Sequence, residues 1–309
     1  MAARQLPLLP TQDGTNPPIT RDSPLHAAIT PFQQYLRFQG KTQNTIIAFT
    51  SDLNLLAEFA GRDTPLRAFT TDYLNRFLQW IEYGRGVRCS RKSYARRVTT
   101  LKVFFDYLHT VEVLHTNPAR ALVQRSGSAP LPHVLTPAQV QAVLEETQRR
   151  RFAEKPDARP DLLVRLLLDT GIKKGEVMAL TPTHVDRTVT PPVLKIRHRS
   201  PRSRYRERDI PLNPEWPQVL DEYLEQYAPK EVIFDCTARN LEYVLKDVGE
   251  AAGITDFLLS FVVLRWTSAL LDYMRGMESD TLREKQGLSR VSWYETYAKL
   301  QALADKVTA

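Results

Sequence analysis

Two stretches of this chain concentrate side chains able to bind phosphate. Between positions 91 and 102 stand Arg91, Lys92, Arg96, Arg97 and Lys102, with no acidic residue among them. Between 195 and 209 stand seven cations, Lys195, Arg197, Arg199, Arg202, Arg204, Arg206 and Arg208, against two acids, Glu207 and Asp209. A solvated helix face, or charge that blocks edge-to-edge strand pairing, is the plainer reading of either stretch alone. Cations so dense and so little offset exceed both needs, and contact with a polyanion's phosphates explains them better.

The whole chain agrees. Its 309 residues carry 42 Lys plus Arg against 35 Asp plus Glu, a formal charge of +7, which favours an anionic partner, nucleic acid ahead of a membrane surface. With 42% hydrophobic and 25% charged residues it has the composition of a globular protein of about two domains. Two cysteines, Cys89 and Cys236, are too few for a disulfide framework or a zinc site, and no metal or other cofactor is expected. No run has the length and apolarity of a membrane span and the N-terminus lacks the pattern of a signal peptide, so the expected location is the cytoplasm, on the nucleoid.

The elements that must position these cations follow from periodicity. Residues 1–24, rich in proline and without a period, read as a flexible tail. Helices follow from Leu25 to Leu36, from Asn44 to Ala60, from Thr70 or Thr71 to Ile81, and from Ser90 to Leu108. The last places Tyr94, Val98, Leu101, Phe105 and Leu108 on one face and its cations largely elsewhere. Turn residues over 123–134 predict a linker between a helical domain at 25–122 and a second domain at 135–309. There Thr136-Pro137 opens a helix, 149–161 reads as a loop, and Leu162 to Thr170 is helical up to Gly171. Val193 to Arg197 and Tyr205 to Leu212 alternate like the strands of a hairpin turning at Ser200 to Ser203.

Within these elements, Leu168-Asp169-Thr170-Gly171-Ile172-Lys173-Lys174-Gly175-Glu176-Val177-Met178-Ala179-Leu180 resembles the Thr-Gly-Leu-Arg-x-x-Glu-Leu-x-x-Leu motif of the tyrosine recombinase, or phage integrase, family in its Xer-like form. Val262-Val263-Leu264-Arg265-Trp266-Thr267 resembles its His-x-Leu-Arg-His-Thr motif, and Gly287-Leu288-Ser289-Arg290-Val291-Ser292 stands where the family has Gly-His-Ser-Ser-Ile-Ser. Lys41 to Thr45 and the helices around them are similar to the family's core-binding domain. The resemblance implies a mainly α protein with a small β-sheet, built as a four-helix, SAM-like core-binding domain and a mixed α/β catalytic-type domain. It implies double-stranded DNA as partner, clamped by Thr42, Asn44 and the cations of the 91–102 helix on one side and by Arg202, Arg204 and Arg206 of the hairpin on the other. It also implies assembly on DNA, as a homo- or hetero-oligomer, through the C-terminal helix.

The family's chemistry needs two arginines on the scissile phosphate, a tyrosine nucleophile, a hairpin lysine and two histidines. By resemblance the nucleophile is Tyr297 and the second arginine Arg265. The first arginine is replaced by Lys173, the hairpin lysine by Ser203, and the histidines by Val262 and Leu288. Lysine lacks the bidentate fork, and neither valine nor leucine can carry a proton. His198, beside the hairpin turn, is the histidine placed to substitute, although a surface group between two arginines is its plainer reading. Tyr294 and Tyr297 have a packing role as their plainer reading, and Trp266 that of a buried anchor.

Three functions are therefore weighed. The leading one is a DNA-binding member of the family, catalytically impaired, with a structural or regulatory role. The alternative is an active recombinase that cleaves and rejoins DNA through a 3′-phosphotyrosine intermediate. The third, a protein-binding scaffold, would call for loss of the basic surface, which the sequence retains.

Overall fold

The computed structural model describes residues 19–124, 130–198 and 200–308, and the chain divides into two compact units, Met1–Ala129 and Pro130–Ala309. It is mainly helical with one small sheet, as the sequence predicts. No helix among the described residues is long and apolar enough to cross a membrane.

The first unit packs four helices, α1 (Leu25–Phe38), α2 (Gln43–Ala60), α3 (Thr71–Gln79) and α4 (Arg91–Thr110). Thr42, Thr70 and Ser90 each cap a helix by accepting a backbone N–H three residues on, satisfying one of the amides that a helix start leaves unpaired. The apolar stripes read from the sequence are the buried faces, and Phe32 of α1 meets Phe104 of α4 edge to face, with ring centroids 5.1 Å apart. At its C-terminus α3 widens into one π-helical turn, Trp80–Gly84.

The tail expected over residues 1–24 needs correction. Residues 1–18 lie outside the described residues, but Arg21, Ser23 and Leu25 share backbone hydrogen bonds with 64–67, and Ile19 packs against the core. A single bridge, Pro24 with Pro65, leaves no alternation to be read, so the pairing is invisible to periodicity. The predicted linker is shorter too. Residues 125–129 lie outside the described residues, while His133 stacks on Phe257 and the Leu135 amide donates to Thr267 Oγ1 at 2.9 Å, both inside the second unit.

The second unit contains α5 (Pro137–Arg151), α6 (Arg159–Thr170), the short α7 (Lys174–Val177), α8 (Trp216–Tyr227), α9 (Ala238–Ala251), α10 (Phe261–Met274), α11 (Ser279–Lys285) and α12 (Arg290–Thr308). The loop read over 149–161 shrinks, because α5 runs on to Arg151 and Pro160, whose missing N–H costs nothing in a first turn, lets α6 begin at Arg159. Leu162, Leu163, Leu166 and Leu167 make α6 the apolar centre of the unit, and Arg165 within that run is held by Asp161 at 2.9 Å.

The sheet has three antiparallel strands in the order β1 (Val185–Asp186), β2 (Val193–Ile196) and β3 (Arg208–Pro211). The predicted hairpin is present with a shorter second strand. Its ladder ends at Ile196 opposite Arg208, and Pro201–Arg206, left without a partner, closes into 3-10 turns. The two-residue β1 is too short to show in the sequence pattern.

Candidate functional site

The second unit brings together residues far apart in sequence. Arg265 lies on α10, whose start is fixed by the Ser260 cap. Its guanidinium donates to the carbonyls of Gly171, at the end of α6, and Gln286, the latter at 2.6 Å. Gly171 has φ +58°, and a Cβ there would lie 2.4 Å from Gln286 Nε2, so another residue would be strained in its backbone and would have to displace the Gln286 amide. Two residues on, the Lys173 amide donates to Glu176 Oε2 at 2.8 Å, and Lys173 Nζ reaches across to the Gly287 carbonyl at 2.7 Å.

Glu176 is itself held from β3. Arg208 donates bidentately to its carboxylate at 2.9 and 3.0 Å and, through Nε, to the Lys285 carbonyl at 2.7 Å. His198 stands on the other side, its Nε2 buried, without a hydrogen-bond partner and 3.7 Å from Glu176 Oε1. The turn at 171–176, the strand β3, the helix α10 and the loop at 285–287 are thereby tied into one cluster.

Its electrostatics are one-sided. Burial pushes the Glu176 carboxyl up, but the Arg208 bonds and charge, with the Lys173 amide, outweigh it and hold the group below its ordinary range. Burial carries Lys173 down to about 8 against the pull of Glu176, with Arg265, Arg206 and Arg208 adding repulsion. Arg265 falls to about 10, again chiefly through burial. Lys173, Arg208 and Arg265 thus share one carboxylate, and the hydrogen bonds of Arg265 and of the Lys173 ammonium go to carbonyls. Cations withdrawn from water with too few counterions are costly. An anion placed among them removes that cost.

Tyr297 lies in a different environment. Its ring packs against Tyr273 and Trp293, at centroid distances of 5.7 and 5.4 Å, in a cluster that also takes in Trp266 and Leu288. Among the described residues no hydrogen bond joins its hydroxyl to Arg265 or Lys173. Tyr294 is 84% exposed and Val262 60% exposed. Ser203 and Lys173 line a common pocket of about 320 Å³. The structure therefore gathers Lys173 and Arg265, sets Ser203 close by, and leaves Tyr297 and Leu288 packed in an apolar cluster.

The cations of the first unit divide. Arg91 and Lys92 are exposed on the first turn of α4, Asn44 is exposed on that of α2, Lys102 is half-buried, and Thr42 is engaged as a helix cap. Arg96 and Arg97, expected from the sequence to contact phosphate, hold Asp52 of α2 at 2.8 and 3.5 Å, and Thr100 donates to the same carboxylate at 2.8 Å. Arg97 also donates to Cys89 Sγ at 2.8 Å. Asp52 is 2% exposed, and burial pushes its carboxyl up against the pull of Thr100 and both arginines. In the hairpin, Lys195 and Arg197 are paired with Asp186 and Asp209, Arg204 is exposed and Arg206 half-buried. Arg199 and the Arg202 side chain lie outside the described residues. Among the described residues no group of three or more His, Cys, Asp or Glu is placed to hold a metal ion.

Sequence reasoning passed over Asp52, took Glu176 only as part of a motif and counted Arg208 only among the hairpin's cations. Asp52 had a signal, an acid one position before Leu53 and three after Phe49 on the face that α2 buries. The pairing of Glu176 with Arg208 spans 32 residues and leaves no local signal.

A two-unit, mainly helical protein with a half-buried cationic cluster beside a small sheet is the class these features define. Residues 29–110 match the signature of the phage integrase N-terminal SAM-like domain. The chain is 26% identical over 274 residues to the tyrosine recombinase XerC of Roseiflexus castenholzii, covering 83% of each, and 24% identical over 228 residues to that of Staphylococcus saprophyticus, covering 70% of this chain and 73% of the relative. In fold it is similar to the XerH site-specific recombinase in its post-cleavage complex with a palindromic difH substrate (TM-score 0.69, 16% identity, 95% of this chain and 99% of that one). It is likewise similar to a lambda integrase dimer bound to a COC′ core site (TM-score 0.68, 18% identity, 89% and 78%). Over most of its length the chain is thus similar to tyrosine recombinases, with the phage integrase SAM-like signature confined to the first unit.

Proposed function

We propose that this protein binds double-stranded DNA and that its own strand cleavage is very slow or absent, so that it acts on DNA as a structural or regulatory member of its family. The observation that carries the reading is the excess of the half-buried Lys173, Arg208 and Arg265 over the one buried carboxylate, Glu176. A phosphodiester supplies the missing negative charge, and the relatives and structural neighbours named above are recombinases, two of the neighbours in complexes with DNA. Arg91 and Lys92, with Arg204 and Arg206, add cations that meet the DNA backbone without reading its sequence.

The same geometry argues against efficient cleavage. Attack by Tyr297 on phosphorus needs its hydroxyl beside the phosphate, a base to take its proton and an acid to protonate the leaving 5′-oxygen. Its ring is packed on Tyr273 and Trp293. Val262 and Leu288 handle no protons, and losing one general acid or base typically costs about 10² to 10⁴ in rate. No metal or cofactor enters this reading. The helix α12 rests on its own unit through Leu300 and Leu303, so exchange between protomers on DNA would first have to release it.

One observation favours the second reading, an active recombinase. With its pKa near 8, Lys173 is far better matched to proton transfer at neutral pH than an arginine in its place. The test is duplex binding across a salt series, joined to adduct trapping on an ordinary substrate and on one with a 5′-bridging sulfur, whose leaving group needs no proton. Binding that weakens steeply with salt, with no adduct on ordinary DNA, is the expected result. Adduct on ordinary DNA, abolished by Tyr297→Phe, would establish the active enzyme instead.

A further inference from the structure

The pocket lined by Lys173 and Ser203 is larger than a phosphate needs, and its walls are not those of a simple anion site. Neither Arg265 nor Tyr297 lines it. Ala179 and the buried Leu180 and Ile196 give its lining an apolar part, while Lys173 and Arg206 bring cations to it. About 320 Å³ lies at the lower end of the range for sites that hold small organic ligands.

Its polar groups are arranged to meet a ring as well as a charge. His184 lines the pocket, and its Nδ1 accepts the Thr181 backbone N–H at 3.0 Å, so the neutral ring carries its proton on Nε2 and is a donor. Burial, and then the charge of Arg197, keep that imidazole below its ordinary pKa and hence neutral at pH 7. Ser203 adds a hydroxyl that can donate or accept. Tyr205, next in the chain to the lining residue Arg206, is 61% exposed, and Arg206 lies over its ring, 5.0 Å from the centroid, donating to its hydroxyl at 2.9 Å. An exposed aromatic among cations is the surface on which unpaired bases stack.

We propose that this pocket receives a single unstacked nucleotide, its base over Ala179, Leu180 and Ile196 and against the neighbouring Tyr205, its phosphate at Lys173 and Arg206. A base inside a duplex is stacked and paired and cannot enter, so the ligand is either an unpaired nucleotide carried by bound DNA or a free nucleoside monophosphate. The proposal rests on the DNA-binding reading only for the first source.

The experiment titrates the full chain with an intact duplex, with the same duplex carrying one unpaired fluorescent purine analogue, and with that analogue as the free monophosphate. Stacking on an aromatic contributes enough for the bulged duplex to bind about tenfold more tightly than the intact one, with a change in analogue fluorescence. Ala179→Trp, which fills the pocket from an exposed lining position, is expected to bring the ratio of the two affinities near one, and Tyr205→Ala to lower it. Equal affinities for bulged and intact duplex, with unchanged fluorescence and no binding of the monophosphate, overturn the proposal without touching the DNA-binding reading. Binding of the monophosphate alone keeps the pocket and names the free nucleotide as its source. If no duplex binds but the monophosphate does, the DNA-binding reading fails while the pocket stands.

Discussion

Asp52 in the first unit and Glu176 in the second are both acids buried among arginines, yet the cations around them are spent differently. At Asp52 the carboxylate is shared by Arg96, Arg97 and Thr100 across α2 and α4, and 37% of the Arg96 side chain still reaches solvent. At Glu176 one arginine takes both carboxylate oxygens, while Arg265 and Lys173 are left with backbone carbonyls. The first arrangement closes on itself and fastens two helices. The second leaves positive charge unspent, and on this difference the proposed anion site rests. Density of cations along the sequence does not make the distinction, since the 91–102 stretch looked at least as promising as any residue near Glu176.

The comparison breaks or holds most visibly when the acids are removed. Asp52→Ala leaves Arg97, 11% exposed, without its counterion, and breaking a buried pair from one side costs about 3 kcal/mol or more. Glu176→Ala exposes Arg208 to the same penalty. Sulfate should discriminate between them. An anion at tenfold its Kd stabilises the state that binds it by about 1.4 kcal/mol, and that gain is expected for wild type and Glu176→Ala but not as a rescue specific to Asp52→Ala. Urea unfolding with and without sulfate makes the measurement. A sulfate gain in Asp52→Ala larger than the wild-type gain, which would place an anion at the vacated Asp52 site, would mean that the two clusters do not differ in the way described.

The first unit's exposed cations give the next largest effect. Reversing Arg91 and Lys92 together is expected to lower duplex affinity by more than about tenfold at low salt and to reduce the slope of log affinity against log salt by about two, for all sequences alike. Unfolding should stay within about 0.5 kcal/mol of wild type, as for other exposed substitutions. Reversing Arg97 should instead destabilise the unit, so loss of DNA binding there reports on folding. An Arg91/Lys92 variant with unchanged salt dependence would remove the first unit from the interface.

How much of this was legible beforehand depends on the range of the interaction. Caps and apolar stripes are local, and Thr42, Thr70, Ser90, Thr136 and Gly171 could each be read within a few residues of the helix they bound. The motif residues Lys173 and Arg265 were legible because their neighbours form a pattern. Their use was not, since it depends on Gly287, Gln286 and Arg208, brought in by loops and a strand whose lengths carry no signal. The pinning of Arg97 was hidden for the same reason, its partner lying 45 positions earlier. The hairpin's second strand was misjudged because alternation persists from Tyr205, while strand structure needs a partner, and the ladder starts only at Arg208.

A smaller effect follows from Lys173. Its folded pKa of about 8 lies below its ordinary 10.5, so between those values the unfolded chain binds more protons, and this group favours folding increasingly as pH rises through that window. For an anion the sign is opposite. Deprotonation through pH 8 removes a cation from the site, so duplex affinity is expected to fall severalfold between pH 7 and 9 at constant salt. Lys173→Arg, which stays charged, should flatten that fall, and His184, already neutral at pH 7, should contribute nothing to it. A pH profile identical in wild type and Lys173→Arg would show that Lys173 does not face the bound anion.

The smallest effect is expected where the family resemblance points most strongly. Tyr297→Phe removes only a hydroxyl, and the contacts of Tyr297 are made by its ring, against Tyr273 and Trp293. Stability and duplex affinity should therefore change by less than about 0.5 kcal/mol, as when an unpaired polar group is deleted without disturbing packing. Tyr297→Ala should cost about 3 kcal/mol, because it opens a cavity among the same rings. If the ring is kept for packing, the two substitutions differ widely in stability and neither alters any adduct, since none forms on ordinary DNA. If the hydroxyl is kept for attack, Tyr297→Phe is silent in unfolding and binding but abolishes trapping on the 5′-sulfur substrate. That outcome would place the boundary between the two clusters elsewhere: α12 would have to leave its seat on Trp293 and Tyr273 when DNA binds, and the anion held by Lys173 and Arg265 would be the phosphate that Tyr297 then reaches.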